Sequence, residues 1–84
     1  MTYVVSIMRR AQKELEELSQ DDYVRVRDSI SSLAVTPRPV GCIKLTGREG
    51  WRVRVGNFRI IYTIEDSALL VTVIRVGNRR DIYR

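Results

Sequence analysis

Eighty-four residues suffice for one domain built on one core, and a core of this size leaves only about 3–5 kcal/mol of net stability. With no histidine and one cysteine, Cys42, the chain excludes His-based triads, paired-imidazole ribonuclease chemistry, an internal disulfide framework and the usual zinc ligand sets. Fifteen basic residues against ten acidic give +5; thirteen of the cations are arginine, and the whole excess lies in residues 43–84, because residues 1–42 hold six charges of each sign. A polyanionic partner is the leading inference.

In chain order, "TYVVSI" after Met1 reads as a first strand, rich in β-branched and aromatic residues. Its apolar run is too short for a secretion signal or a membrane span, which predicts a soluble protein of a reducing cytoplasm with no membrane partner. From Arg10 the period changes: Ala11, Leu15 and Leu18 form a helical stripe, with Arg10/Glu14 and Lys13/Glu17 as exposed pairs four apart. Glu14, Glu16 and Glu17 read as a solvated helix face. "SQDD" stops this helix and starts another, with Ser19 or Asp21 as N-cap. The second helix puts Tyr23, Val26, Ile30 and Leu33 on one face and ends before "TPRP", so the two form a helical hairpin.

"TPRPVG" is a connector rather than a domain boundary, since neither flank is long enough to fold alone. Three strands follow: Trp51–Val55, beginning as early as Ile43, then Phe58–Ile64, then Leu69–Val76, joined by turns at Gly56-Asn57 and "EDSA". The order β-α-α-β-β-β predicts a single α+β domain over residues 1–84, a small antiparallel sheet with the helical hairpin on one face.

Strand alternation puts Trp51, Val53 and Val55 on one face and Arg52 and Arg54 on the other. Trp51 therefore reads as core, with a base-stacking platform as the alternative. A two-residue turn at Gly56-Asn57 pairs 55 with 58, 54 with 59 and 52 with 61, which sets Arg54 directly opposite Arg59. Like charges in that position destabilise a sheet, so the face reads as preorganised for something negative. The last strand returns toward Phe58 and Arg59, and its tail "VGNRRDIYR" brings Arg79, Arg80, Arg84 and Tyr83 within reach of the same patch. Tyr83 reads either as a functional hydroxyl or as a ring capping the core.

"KLTG…WRVRVGNFRIIYTI" followed by "VIRVGNRRDIYR" resembles the RelE/ParE superfamily of small toxins, over essentially the whole chain. The resemblance implies the toxin of a type II toxin-antitoxin system. RelE-type members are ribosome-dependent endoribonucleases that cut mRNA in the decoding site, whereas ParE-type members act on DNA gyrase; the scaffold alone does not choose between them. RelE-type toxins carry basic residues at positions matching Arg52 and Arg54, arginines matching Arg59 and Arg79, and a tyrosine matching Tyr83. All five are present, which favours the RelE type. Many relatives have a histidine near the tail; here Asn78 and Arg79 stand in that region, moving the chemistry onto arginine and tyrosine.

The resulting expectation is a metal-independent and cofactor-free cleavage in which the RNA 2′-hydroxyl attacks the adjacent phosphate. Arg59, Arg79 and Tyr83 are the catalytic candidates, with Tyr83 as base, and Lys44, Arg52, Arg54, Arg80 and Arg84 hold RNA phosphates. Implied partners are a RelB-like antitoxin, the ribosome with its mRNA, and operator DNA reached through the antitoxin complex. The competing readings are a ParE-like gyrase inhibitor and a non-catalytic nucleic-acid-binding module.

Overall fold

The structure, a computed structural model, describes residues 2–78. The β-branched run Val4–Ile7 forms β1, and α1 (Arg9–Glu16) follows it, burying Ala11 and Leu15. Helix α2 (Gln20–Ser32) begins at Ser19, whose hydroxyl oxygen accepts the Asp22 N–H at 3.3 Å, so the cap is Ser19 and not Asp21. Val26 and Ile30 face inward from α2, and Leu33 closes its C-terminal end fully buried. Next come the two-residue β2 (Ile43–Lys44), β3 (Trp51–Val55), β4 (Phe58–Glu65), a 3₁₀ turn at Asp66–Ala68 and β5 (Leu70–Asn78). No helix among the described residues is long and apolar enough to cross a membrane.

The strands form one five-stranded sheet in the order β1-β5-β4-β3-β2. The α+β class and the element order stand, with Ile43–Lys44 a short strand of its own. The sheet, however, is mixed rather than wholly antiparallel, because β1 pairs with β5 in parallel, Val4 opposite Leu70 through Ile7 opposite Val73. Hairpins force antiparallel pairing only on strands they join, and β1 reaches its neighbour through both helices and the other strands.

One face of the sheet carries the core. Val53, Ile60, Tyr62, Val71, Val73 and Val76 pack with Ala11 and Leu15 of α1 and with Val26, Ile30 and Leu33 of α2. Tyr62 is fully buried yet satisfied, its hydroxyl donating to the Pro37 carbonyl at 2.8 Å. Beyond the end of β1, the edge of β5 is closed by a side chain. Glu14 accepts the Val76 N–H at 2.9 Å through one carboxylate oxygen and the Arg75 guanidinium at 3.1 Å through the other. Glu14 is thus no part of a solvated helix face: a strand edge left without a neighbour needs an acceptor, and α1 supplies it.

Candidate nucleic-acid interface

The β3–β4 hairpin turns at Gly56-Asn57, with Gly56 at φ +58°. A positive φ at the first turn residue is the conformation that glycine adopts without steric penalty, and it suits the twist of a two-residue hairpin. The register is Val55 with Phe58, Arg54 with Arg59, Val53 with Ile60 and Arg52 with Ile61. Arg54 and Arg59 are therefore directly opposed, and Arg52 stands two residues along on the same face. Arg54 leans toward the turn, its Nε donating to the Gly56 carbonyl at 3.3 Å.

Ile43 of β2 pairs with Arg52 and adds a wall. Together these residues line a cleft of about 360 Å³ with Gly41, Val53, Arg54 and Arg59. A second cavity of about 300 Å³ adjoins it, sharing Ile43 and Arg52 and lined also by Lys44, Leu45, Thr46, Arg48 and Ile61. Among the described residues no carboxylate lines either cavity, and the charged side chains that do are all cationic.

The loop between β2 and β3 is pinned. Leu45 N–H donates to the Gly50 carbonyl at 3.0 Å. Gly50 is buried at φ +133°, where a side-chain carbon would come 3.0 Å from Leu45 Cδ1 and 3.2 Å from the Tyr62 carbonyl oxygen. Only glycine fits there, and the fit presses the loop that carries Arg48 against the sheet.

Of the residues expected at the site, Arg52, Arg54 and Arg59 come together. Lys44 pairs with Trp51, which places it on the opposite pleat from Arg52, although it contributes to the rim of the second cavity. Arg79, Arg80, Tyr83 and Arg84 lie outside the described residues. The described chain ends with Gly77 opposite Arg59 and Asn78 opposite Phe58, at the hairpin end of the sheet. Arg48 was not anticipated, nor was Arg25 of α2, whose Nη1 lies 3.7 Å from where a Gly56 side chain would begin. The signal for Arg48 was the loop "TGREG" between two glycines; for Arg25 there was none, because its position depends on how α2 crosses the sheet.

Other polar groups are committed elsewhere. Asp66 accepts both Arg38 guanidinium nitrogens, at 3.2 and 2.8 Å, and the Tyr3 hydroxyl at 2.6 Å. The Arg38 bonds, then Tyr3, hold the Asp66 carboxyl below its ordinary range. Arg38 also lies 5.3 Å over the Trp51 ring, which shares its face with the core, so Trp51 is no base platform on the arginine face. Burial, and then the neighbouring Cys42, push the Tyr62 phenol upward, while the bond to Asp66 raises Tyr3. Neither can act as a base on the arginine face. Among the described residues no group of His, Cys, Asp or Glu gathers as a metal site would require.

Comparison with known proteins agrees with this fold. The family described as "ParE toxin of type II toxin-antitoxin system, parDE" matches residues 5–83. Toxin RelG of Mycobacterium tuberculosis is 32% identical, over 100% of this chain and 99% of that protein. Among solved structures, the RelE-RelB complex of Pyrococcus horikoshii contains a chain 28% identical with a TM-score of 0.85, covering 96% of this chain and 99% of that one. The RelBE2 toxin-antitoxin complex of Mycobacterium tuberculosis contains one 25% identical with a TM-score of 0.81, covering 94% and 100%.

Proposed function

Because the chain belongs to the ParE toxin family, as a RelE-type member of the RelE/ParE superfamily and the toxin of a type II toxin-antitoxin system, we propose that it is a ribosome-dependent mRNA endoribonuclease. The observation that carries this reading is the opposed pair Arg54 and Arg59, which with Arg52 lines one cleft at a cost to the sheet. A phosphodiester gripped by planar guanidinium forks repays that cost, since arginine matches phosphate oxygens two at a time.

In this mechanism the substrate's 2′-oxygen attacks the adjacent phosphorus as the bond to the 5′-oxygen breaks, leaving a 2′,3′-cyclic phosphate and a 5′-hydroxyl. Arg59 and Arg79 clamp the reacting phosphate; Arg52 and Arg54 hold its neighbours and stabilise the charge that builds on the equatorial oxygens. Tyr83, as phenolate, takes the 2′-hydroxyl proton. A free phenol of pKa near 10 is only about one part in a thousand ionised at pH 7. Cations beside it favour the charged form, so the cluster that binds substrate also activates the base. Tyr3 and Tyr62 are bonded to Asp66 and to the Pro37 carbonyl and Tyr23 packs against the core, so this reading gives the role to Tyr83. Arg79 hydrogen-bonds to the departing oxygen, which takes its proton from solvent water while the Tyr83 phenol returns its own to solvent, and the ribosome supplies the in-line substrate geometry that a shallow face lacks.

The partners follow. mRNA in the decoding site is the substrate. The toxin-antitoxin complexes of relatives support an antitoxin partner; in this reading its amphipathic or acidic segment covers the basic face and carries the pair to operator DNA. A second reading, gyrase inhibition, is favoured by the ParE description of the matching family. Primer extension on a reporter mRNA with purified ribosomes separates the two. Cuts on translated message only, lost in Arg59→Ala and Arg79→Ala, establish the cleavage; intact message together with blocked supercoiling by purified gyrase establishes the alternative.

A further inference from the structure

Past the pairing of Ile7 with Val73, β5 has no strand on its β1 side among the described residues, and its last residues lie against β4 alone. The β4–β5 register jumps at the same level. Tyr62 faces Val73 but Ile61 faces Arg75, so Ile74 is an extra residue. Carried on in step from Tyr62 and Val73, β5 would set Arg75 opposite Ile60 in the core and Val76 opposite Arg59 on the arginine face, since a one-residue slip turns every side chain over. The observed register does the reverse: Val76 joins the core, and Gly77, which has no side chain, faces Arg59.

Glu14 grips β5 just past the jump. One carboxylate oxygen takes the Val76 N–H at 2.9 Å and the other the Arg75 guanidinium at 3.1 Å, with the Glu14 and Arg75 side chains only 21% and 17% exposed. In the slipped register the Val76 N–H would point at β4, so this pair of bonds belongs to one register alone. We propose that Glu14 is a positioning residue for the cleavage. Acting through Val76 and Arg75, it seats the end of β5 so that Gly77 leaves open the face beside Arg59 and the chain runs on into Arg79 in the phase the reaction needs. The role rests on the RNA-cleaving reading of the arginine face and adds to it a residue of the helical layer, away from that face. Arg52, Arg54 and Arg59 stand on the β3–β4 hairpin, whose register is set by its own turn. Loss of Glu14 therefore spares the grip of these arginines on RNA and slows the chemical step.

The test compares wild type, Glu14→Ala, Glu14→Gln and Val26→Ala, the last a truncation of a fully buried α2 residue that serves as the control for lost stability. Single-turnover cutting of a reporter mRNA is followed against ribosome concentration, at a temperature where circular dichroism shows each protein folded. In Glu14→Ala the saturating rate should fall roughly 100-fold, the cost of a misplacement of about 1 Å, while the half-saturating concentration stays within about twofold. Glu14→Gln keeps an acceptor for Val76 and loses the ion pair, so its rate should lie between the two. Val26→Ala should cut like wild type. NMR reads the seating itself, because Ile60 and Val76 form the close pair without mutual hydrogen bonds and the Gly77 N–H points at β4. In Glu14→Ala the contact between the Ile60 and Val76 α-protons should weaken and the Gly77 amide should exchange faster, while the Ile60 amide, which faces β3, changes no more than in Val26→Ala. A Glu14→Ala protein that cuts as fast as Val26→Ala, or whose Gly77 amide exchanges at the wild-type rate, overturns the role. The two readings fail separately: wild type that leaves translated message intact removes the cleavage and the role with it, whereas wild-type cutting that Glu14→Ala retains removes the role alone.

Discussion

Replacing Arg54 by threonine should make the domain more stable and a poorer ligand for RNA at once. Val55 and Phe58 flank the two-residue turn, so Arg54 and Arg59 form the next cross-strand pair. In that alternation the second pair is the one without mutual hydrogen bonds, where Cα atoms sit about 4.5 Å apart and side chains approach most closely. Like charges directly opposed cost roughly 0.2–1 kcal/mol, and the exposure of Arg54 favours the lower half of that range. The lost Nε bond to the Gly56 carbonyl is long, at 3.3 Å, and exposed, so it offsets little. Threonine is also a good strand residue. The net gain should be about 0.5 kcal/mol, or a Tm rise of about 2–4 °C for a domain of this size. One charge-assisted phosphate contact is worth about 1.5–3 kcal/mol, so affinity for single-stranded RNA should fall roughly 10- to 150-fold. The slope of log affinity against log salt should become shallower by about 0.7. Urea melts and fluorescence anisotropy with a labelled 2′-O-methyl oligonucleotide measure the two sides, with Arg27→Ala on α2 as the charge control. A Tm lowered by several degrees, or an affinity within twofold of wild type, would refute the idea that this face tolerates repulsion for the sake of a ligand.

Glu14→Ala should cost about 2–3 kcal/mol, because the Val76 N–H loses its acceptor and Arg75 loses its ion pair with Glu14, in a pair whose side chains are only 17% and 21% exposed. Glu14→Gln keeps an acceptor for the N–H and should cost less; denaturant midpoints decide. Gly50→Ala should destabilise more than Gly56→Ala, since the first sets a methyl against the Tyr62 carbonyl and the second meets nothing closer than Arg25 at 3.7 Å. Thermal melts of both variants test the order. Asp66 and Asp22 are harder to protonate folded than unfolded, so their stabilisation is intact above the ordinary value of 3.8 and is lost as pH falls below it. Asp66→Asn should flatten the fall of Tm below about pH 4. Tyr83→Phe should slow cleavage while ribosome binding stays near wild type; equal loss of both would make the ring structural.

The element order, the Ser19 cap and the Arg54/Arg59 register were legible because each rests on local rules: a change of period, a capping residue, a two-residue turn. The parallel pairing of β1 was not, since no turn links that strand to β5. The role of Glu14 depends on where β1 stops short of its neighbour, a tertiary fact with no local trace. The second cavity left one signal unread in "RIIY". Strand alternation can send only two of Ile60, Ile61 and Tyr62 into the core, so Ile61 lies on the arginine face, where it is buried and borders the second cavity. Trp51 went to the core as its strand phase required.

The pairing of β1 with β5 also sets when this fold can exist. Residues 4–7 find their strand partner at residues 70–73, almost the whole chain away, and β4 has β5 as one of its two neighbours. A growing chain that has not yet released β5 has no seat for its first strand, no closing partner for β4 and no edge for Glu14 to grip. Long-range pairing of this kind is slow and comes late. The arginine face is therefore assembled only once β5 has been made, and a nascent chain paused at β4 presents charges of this face without the surface that organises them.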